Sequence, residues 1–157
     1  MDFFKAILLG AFCVTLISCG PKIVFEETVS FDQEYWSYGD SLNFEFSVQD
    51  TTMNYDLIVE IGHNSNFPYQ NVYSNISTIY PDGTRQDQIL SFELAEKTGK
   101  WYGKCKDEAC TFIVPLQSTL RFDQLGTYNI EFDQYSRTDS LWGFNDFTLR
   151  LTESITK

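Results

Sequence analysis

"LNFEFSVQD", Leu42–Asp50, decides how the rest of the chain is read. Leu42, Phe44, Phe46 and Val48 alternate with Asn43, Glu45, Ser47 and Gln49. Such side chains separate onto one apolar and one polar face only when the backbone is extended, because successive residues of a strand point to opposite sides. The stretch predicts a half-buried strand. After the turn-like "QDTTMN", the segment "YDLIVEIGHN" repeats the pattern with Tyr55, Leu57, Val59 and Ile61, and the two predict an antiparallel hairpin. Further out, "NVYSNISTIYPDGTRQDQILSFEL" predicts another, since Pro81, Asp82 and Gly83 supply a fixed φ, a side-chain acceptor and a residue free to take positive φ. "TFIVPL", "GTYNIEFDQYS" with Tyr128, Ile130 and Phe132, and "NDFTLRLTE" with Phe147, Leu149 and Leu151 complete the set.

Beyond residue 18 no stretch keeps a helical period with caps. About eight short strands separated by turn signals predict an all-β fold, a single antiparallel β-sandwich of Ig-like Greek-key or jelly-roll-like type. Within "FDQLGTYNI", Asp123, Gly126 and Tyr128 resemble a tyrosine corner, in which a phenol closes the start of a strand; a plain turn before an aromatic strand residue reads equally well.

The first residues follow a different logic. "MDFFKAILLGAFCVTLIS" carries Lys5 and an apolar run from Ala6 to Ile17, which is short of the roughly 20 residues of a membrane-spanning helix. This is the outline of a secretory signal. Its close, Leu16-Ile17-Ser18-Cys19, resembles a bacterial lipobox, in which the cysteine is acylated and becomes the first mature residue. A structural thiol or an uncleaved anchor are the alternatives for Cys19. Two or more acyl chains hold a protein stably at a bilayer, at ~0.8 kcal/mol per buried methylene. The expected organisation is a cleaved lipoprotein signal peptide over 1–18, a lipid anchor and tether over 19–27 holding the domain off the membrane, and one β-sandwich over 28–157.

Composition narrows the partners. A net charge of −11 with only 11 Lys and Arg excludes nucleic acid, whose phosphates demand clustered cations. Aromatics at 17% imply that something packs or binds through rings. Cys13 leaves with the leader, so Cys105 and Cys110 remain, and export to an oxidising compartment makes a disulfide the simplest reading, with free thiols as the alternative. A single C-x₄-C pair beside one histidine, His63, is a poor zinc site. His63, in "IGHNSNF", has neither metal-ligand spacing nor a nucleophile-elbow setting and reads as a surface loop residue. No catalytic residue, metal or cofactor is expected, and the chain is not read as an enzyme.

From Trp36 onward the chain reads Trp36, Asp40, Phe44-x-Phe46-x-Val48-x-Asp50-Thr51, Tyr55-x-Leu57, "NFPYQNVY", the Pro81-Asp82-Gly83 turn and "GKWYG". In that order, behind a lipobox, it resembles the gliding-motility lipoprotein GldH family of Bacteroidetes. The resemblance implies a non-catalytic cell-envelope lipoprotein needed for gliding, working among other gliding-motility envelope proteins in a machine that moves adhesins along the cell surface. Because "GPKIVF" intervenes before Glu26 and Glu27, where surface-exported lipoproteins of the phylum have an acidic cluster, the periplasmic face of the outer membrane is the expected location.

Two uses of aromatics remain open. Phe67 and Tyr69 flank Pro68, which forbids a regular ladder, so the two rings either dock a partner or fold back as a lid over the sandwich end, with Trp36 the next docking candidate. Alternatively, Trp36, Trp101 and Trp142 with several tyrosines could stack sugar rings, as in a carbohydrate-binding module.

Overall fold

The computed structural model describes residues 20–155, and these hold eleven strands. They are β1 (Ile23–Ser30), β2 (Tyr35–Ser37), β3 (Leu42–Val48), β4 (Tyr55–Asn64), β5 (Asn71–Ile79), β6 (Arg85–Glu93), β7 (Lys104–Lys106), β8 (Ala109–Leu120), β9 (Gly126–Gln134), β10 (Ser140–Trp142) and β11 (Phe144–Glu153). One sheet has the order β1-β11-β4-β8-β7, the second β3-β9-β5-β6, and β10 with β2 forms a small third one. Every strand pairing is antiparallel. The two large sheets face each other through rings. Phe147 of β11 packs on Phe132 of β9 at 4.7 Å, on Phe44 of β3 at 5.9 Å and on Phe92 of β6 at 6.2 Å between centroids. The fold is the expected two-sheet antiparallel sandwich.

Alternation predicts the buried faces well. In β3, Leu42, Phe44, Phe46 and Val48 are buried and the residues between them exposed. In β4, Tyr55, Leu57, Val59 and Ile61 face the core. The hairpin expected between these two strands does not form: β3 pairs with β9, and β4 lies between β11 and β8. The connection crosses from one sheet to the other. Asp50 Oδ1 accepts the Thr52 N–H at 2.7 Å, and the Tyr55 hydroxyl donates to Asp50 O at 2.7 Å, so the loop turns a corner and both apolar faces meet across the core.

The β5–β6 hairpin does form, in continuous register from Asn71↔Glu93 to Ile79↔Arg85. Gly83 takes φ of 83° at its turn, the Gly83 N–H donates to Tyr80 O at 2.9 Å, and Asp82 Oδ1 accepts the Thr84 N–H at 2.8 Å. Tyr128 is buried, and its hydroxyl donates to Gln124 O at 3.0 Å, which is the corner reading.

Residues 23–27, expected within a tether, instead form the first part of β1 and pair with β11 from Ile23↔Thr152 onward. Phe25 explains why: its ring packs on Phe46 at 5.5 Å, so β1 is stitched to the core by a side chain as well as by its ladder.

Candidate functional site

The long strands of both sheets run between the same two ends of the sandwich. At one end lie the start of β1, the end of β11 and the loop from β3 to β4: the Glu153 N–H donates to Lys22 O at 2.9 Å and the Ser154 N–H to Asn54 O at 2.8 Å. Cys19 lies outside the described residues, which begin at Gly20. At the other end lie the β10–β2 pair, the start of β5, the residues after β9, and the β7–β8 turn, where Cys105 and Cys110 are cross-strand partners with Cα atoms 3.9 Å apart, joined by a disulfide.

The three aromatics proposed for docking divide. Trp36 has no exposed surface; its ring packs on Phe144 at 5.4 Å and Phe147 at 5.9 Å, and its Nε1–H donates to Asp40 O at 2.7 Å. Phe67 is 4% exposed, with its ring against Phe144, His63 and Tyr69. Both are core residues, because the end of the sandwich needs rings to close it. Tyr69 is 38% exposed and stays on the surface. Burial of Trp36 also prevents the three tryptophans from forming one exposed row, although Trp142 is exposed and lies tilted beside Tyr35, with ring centroids 4.5 Å apart.

Tyr69 opens onto a feature absent from the sequence-based expectation. Asn71 and Tyr73 project from the outer face of β5, in alternation with buried Val72 and Ser74. Ile89 stands exposed on β6, and Tyr135, Ser136, Arg137 and Thr138 border the far side, enclosing an open groove of about 870 Å³. The loop after β9 is held by its own bonds. Gln134 is buried, its Nε2–H donates to Thr138 O at 2.8 Å, and its Oε1 accepts the Ser136 N–H at 2.8 Å. The Tyr135 N–H donates to Tyr73 O at 2.9 Å, and the Tyr38 hydroxyl donates to Ser136 O. Tyr135, 56% exposed, is thereby presented from a fixed backbone. The phase of Tyr73, out of step with Val72 and Ile76, is the signal that could have placed it outside.

His63 corrects a second expectation. It is a fully buried residue of β4, with Trp101 at 4.5 Å and Phe67 at 5.6 Å between ring centroids. Its Nδ1–H donates to Asn64 O at 2.9 Å, and Nε2 has no hydrogen-bond partner. Burial holds its pKa below the ordinary histidine value, so the ring is neutral at neutral pH. Close by on the opposite face of β4, the Asp146 carboxyl is raised by burial and by the nearby Glu60 charge. A Cβ at Gly62 would lie 2.3 Å from Asp146 Oδ2, which is why glycine stands there. Among the described residues no group of three or more His, Cys, Asp or Glu is placed to hold a metal ion. No helix among them is long and apolar enough to cross a membrane.

Comparison with known proteins gives the lineage. The GldH lipoprotein family matches residues 23–151. A "Gliding motility lipoprotein GldH homolog" of Christiangramia forsetii is 24% identical over 157 residues, spanning 95% of this chain and 96% of the relative. The "Gliding motility lipoprotein GldH" of Flavobacterium johnsoniae is 30% identical over 97 residues, 62% of this chain and 59% of the relative. A chain from the solved structure of the infectious bursal disease virus Gx strain overlaps 87% of this chain and 31% of its own length, at 9% identity and a TM-score of 0.32. That overlap is too slight to bear on fold or function. With the match running from the start of β1 nearly to the end of β11, the chain belongs to the GldH lipoprotein family.

Proposed function

We propose that this chain is a non-catalytic lipoprotein of the gliding-motility machinery, anchored through Cys19 in the outer membrane facing the periplasm, and that it works by docking another envelope protein in the groove of Tyr69, Tyr73 and Tyr135. The observation that carries the docking reading is the groove itself. Three part-exposed tyrosines surround it at the end away from the chain's start, and rigid aromatics on a fixed backbone lose little entropy on binding. The occupant fitted by this lining is a protein segment offering an apolar side chain to the rings and a carboxylate to Arg137, which makes no ion pair among the described residues. The names of the relatives supply the machinery.

The test is Tyr73→Ala with Tyr135→Ala in a deletion strain. Both side chains are about half exposed and stand outside the core, so protein level and melting temperature should stay near wild type while gliding is not restored. Full restoration of gliding by the double variant would remove the groove from the function. Binding of a purified envelope polysaccharide, lost in the same variant, would instead make the ligand a glycan.

A further inference from the structure

Where the anchor enters the sandwich fixes how the domain meets the bilayer. Taking Cys19 as the lipid anchor, a reading on which this inference rests, only Gly20, Pro21 and Lys22 separate the lipid from β1. Lys22 is itself pinned: its carbonyl accepts the Glu153 N–H at 2.9 Å, and its Nζ donates to Glu153 Oε1 at 2.6 Å. Three residues fully extended reach about 10 Å. The start of β1 therefore stays within about that distance of the headgroups, and a stand-off domain on a flexible tether is ruled out by chain length.

A short leash still allows the domain to lie on either sheet or to stand on its end. The outer faces of both sheets are charged. Glu26, Glu60 and Arg150 cover one, Arg85, Asp87 and Glu131 the other, and pressing either onto lipid would strip water from them. The anchor-side end differs. Beside the charged Lys22, its exposed large hydrophobic side chains are all aliphatic: Ile23 at 54%, Val24 at 38%, Leu125 at 61% and Ile155 at 81%. Leu125 comes from the loop before β9, in the other sheet, and lies at this end because Gly126 pairs with Val48 and sits so near the Pro81 turn that an added Cβ would come within 3.1 Å of the Pro81 side chain. The exposed aromatics Tyr38, Tyr69, Tyr73, Tyr102, Tyr135 and Trp142 all belong to the opposite half of the sandwich.

We infer that the anchor-side end, through Ile23, Val24 and Leu125, is a lipid-contact surface on which the sandwich stands upright at headgroup level. The aromatic end is then held away from the bilayer by the length of the strands. Ten-residue β4 spans about 30 Å at ~3.3 Å per residue. Asp50 and Asp82 in the neighbouring loops, both held ionised by hydrogen bonds from Thr52 and Thr84, keep the contact shallow.

Bromolipid quenching of tryptophan tests the orientation, because the native tryptophans Trp36, Trp101 and Trp142 all sit at the far end. Full-length lipidated protein is reconstituted into vesicles of phosphatidylcholine brominated at the shallow end of one acyl chain. Wild-type emission should be unchanged relative to unbrominated vesicles. Val24→Trp and Leu125→Trp should each lose most of the added tryptophan's emission, whereas Ile113→Trp and Ile89→Trp, exposed on the two outer faces, should lose none. Quenching of Ile113→Trp or Ile89→Trp with Leu125→Trp unaffected would overturn the upright seat. Circular dichroism of each variant confirms that it is folded. Vesicle flotation keeps the anchor separate: protein that fails to float with the vesicles refutes the Cys19 anchor itself, and the seat with it.

Discussion

Phe67 and Tyr69 stand two residues apart on one loop, yet their replacement should have opposite consequences. Phe67 is 4% exposed and its ring meets Phe144 at 6.1 Å, His63 at 5.6 Å and Tyr69 at 5.5 Å. Removing a buried phenylalanine to alanine costs about 3–5 kcal/mol, counting lost transfer energy and the cavity left behind. For a domain of this size each kcal/mol moves the melting temperature by about 3–4 °C, so Phe67→Ala should melt roughly 10–20 °C lower. Tyr69→Ala loses one edge-on contact with Phe67, worth about 1 kcal/mol, from a side chain already 38% exposed. Its melting temperature should fall by only about 3–4 °C. Thermal unfolding followed by circular dichroism on the purified single variants measures both. A Phe67→Ala protein within about 1 kcal/mol of wild type would show that the ring is not core and would return it to the docking surface. A Tyr69→Ala protein as damaged as Phe67→Ala would take Tyr69 out of the groove.

The disulfide should be present and local in effect. Alkylation of non-reduced, denatured protein should tag neither Cys105 nor Cys110, and replacing both by serine should lower stability by about 2 kcal/mol, as expected for so short a loop. Tagging of both would leave free thiols. His63 should impose a pH dependence. With its folded pKa below the unfolded value of about 6.5, its contribution is present above that pH and is lost as pH falls through the lowered pKa, because the unfolded chain takes up the proton first. Denaturant unfolding between about pH 7.5 and 5 should therefore show stability declining in wild type and a shallower decline in His63→Phe; equal slopes would refute the buried, neutral assignment.

Alternation along one strand reveals which face is buried but not which neighbour lies at its edge. Leu42–Val48 and Tyr55–Ile61 show this directly: every inward residue was legible, and the pairing between the two strands was not, since partner choice depends on β9, β11 and β8 far along the chain. β1 escaped notice for a different reason. Only Phe25 and Val29 of "IVFEETVS" turn inward, four residues apart with Glu27 between them, so an edge strand leaves no period-two trace. His63 sits where the strand-like "YDLIVEIGHN" overlaps the loop-like "IGHNSNF", and sequence alone does not say which of the two holds it. The strand continues through it because β11 and β8 supply ladders on both sides, as Phe144↔His63 and His63↔Cys110 show. Which of Trp36, Phe67 and Tyr69 would be buried depends on how β10, β2 and the end of β4 close over one another, and that is a tertiary fact.

With Cys19 taken as the proposed anchor, the same connectivity decides how a pull on it would be carried. β1 meets β11 over seven residue pairs, and β11 in turn lies against β4, so the first strand after Cys19 is joined to the last strand of the fold and through it to the centre of the larger sheet. A load drawn from the membrane at the start of β1 and resisted at the aromatic end runs along the strand axes. Hydrogen bonds of an antiparallel ladder lie across that direction. They are therefore sheared together instead of being opened one after another. Arg150 of β11 adds a tie across the outer face, bonding Glu26 of β1 and, at 3.5 Å, Glu60 of β4. Phe25 adds one on the inner face through Phe46 in the second sheet. A load entering through a loop would instead peel a strand from its end, and the pairing of β1 with β11 over its length opposes this for a load entering at Lys22.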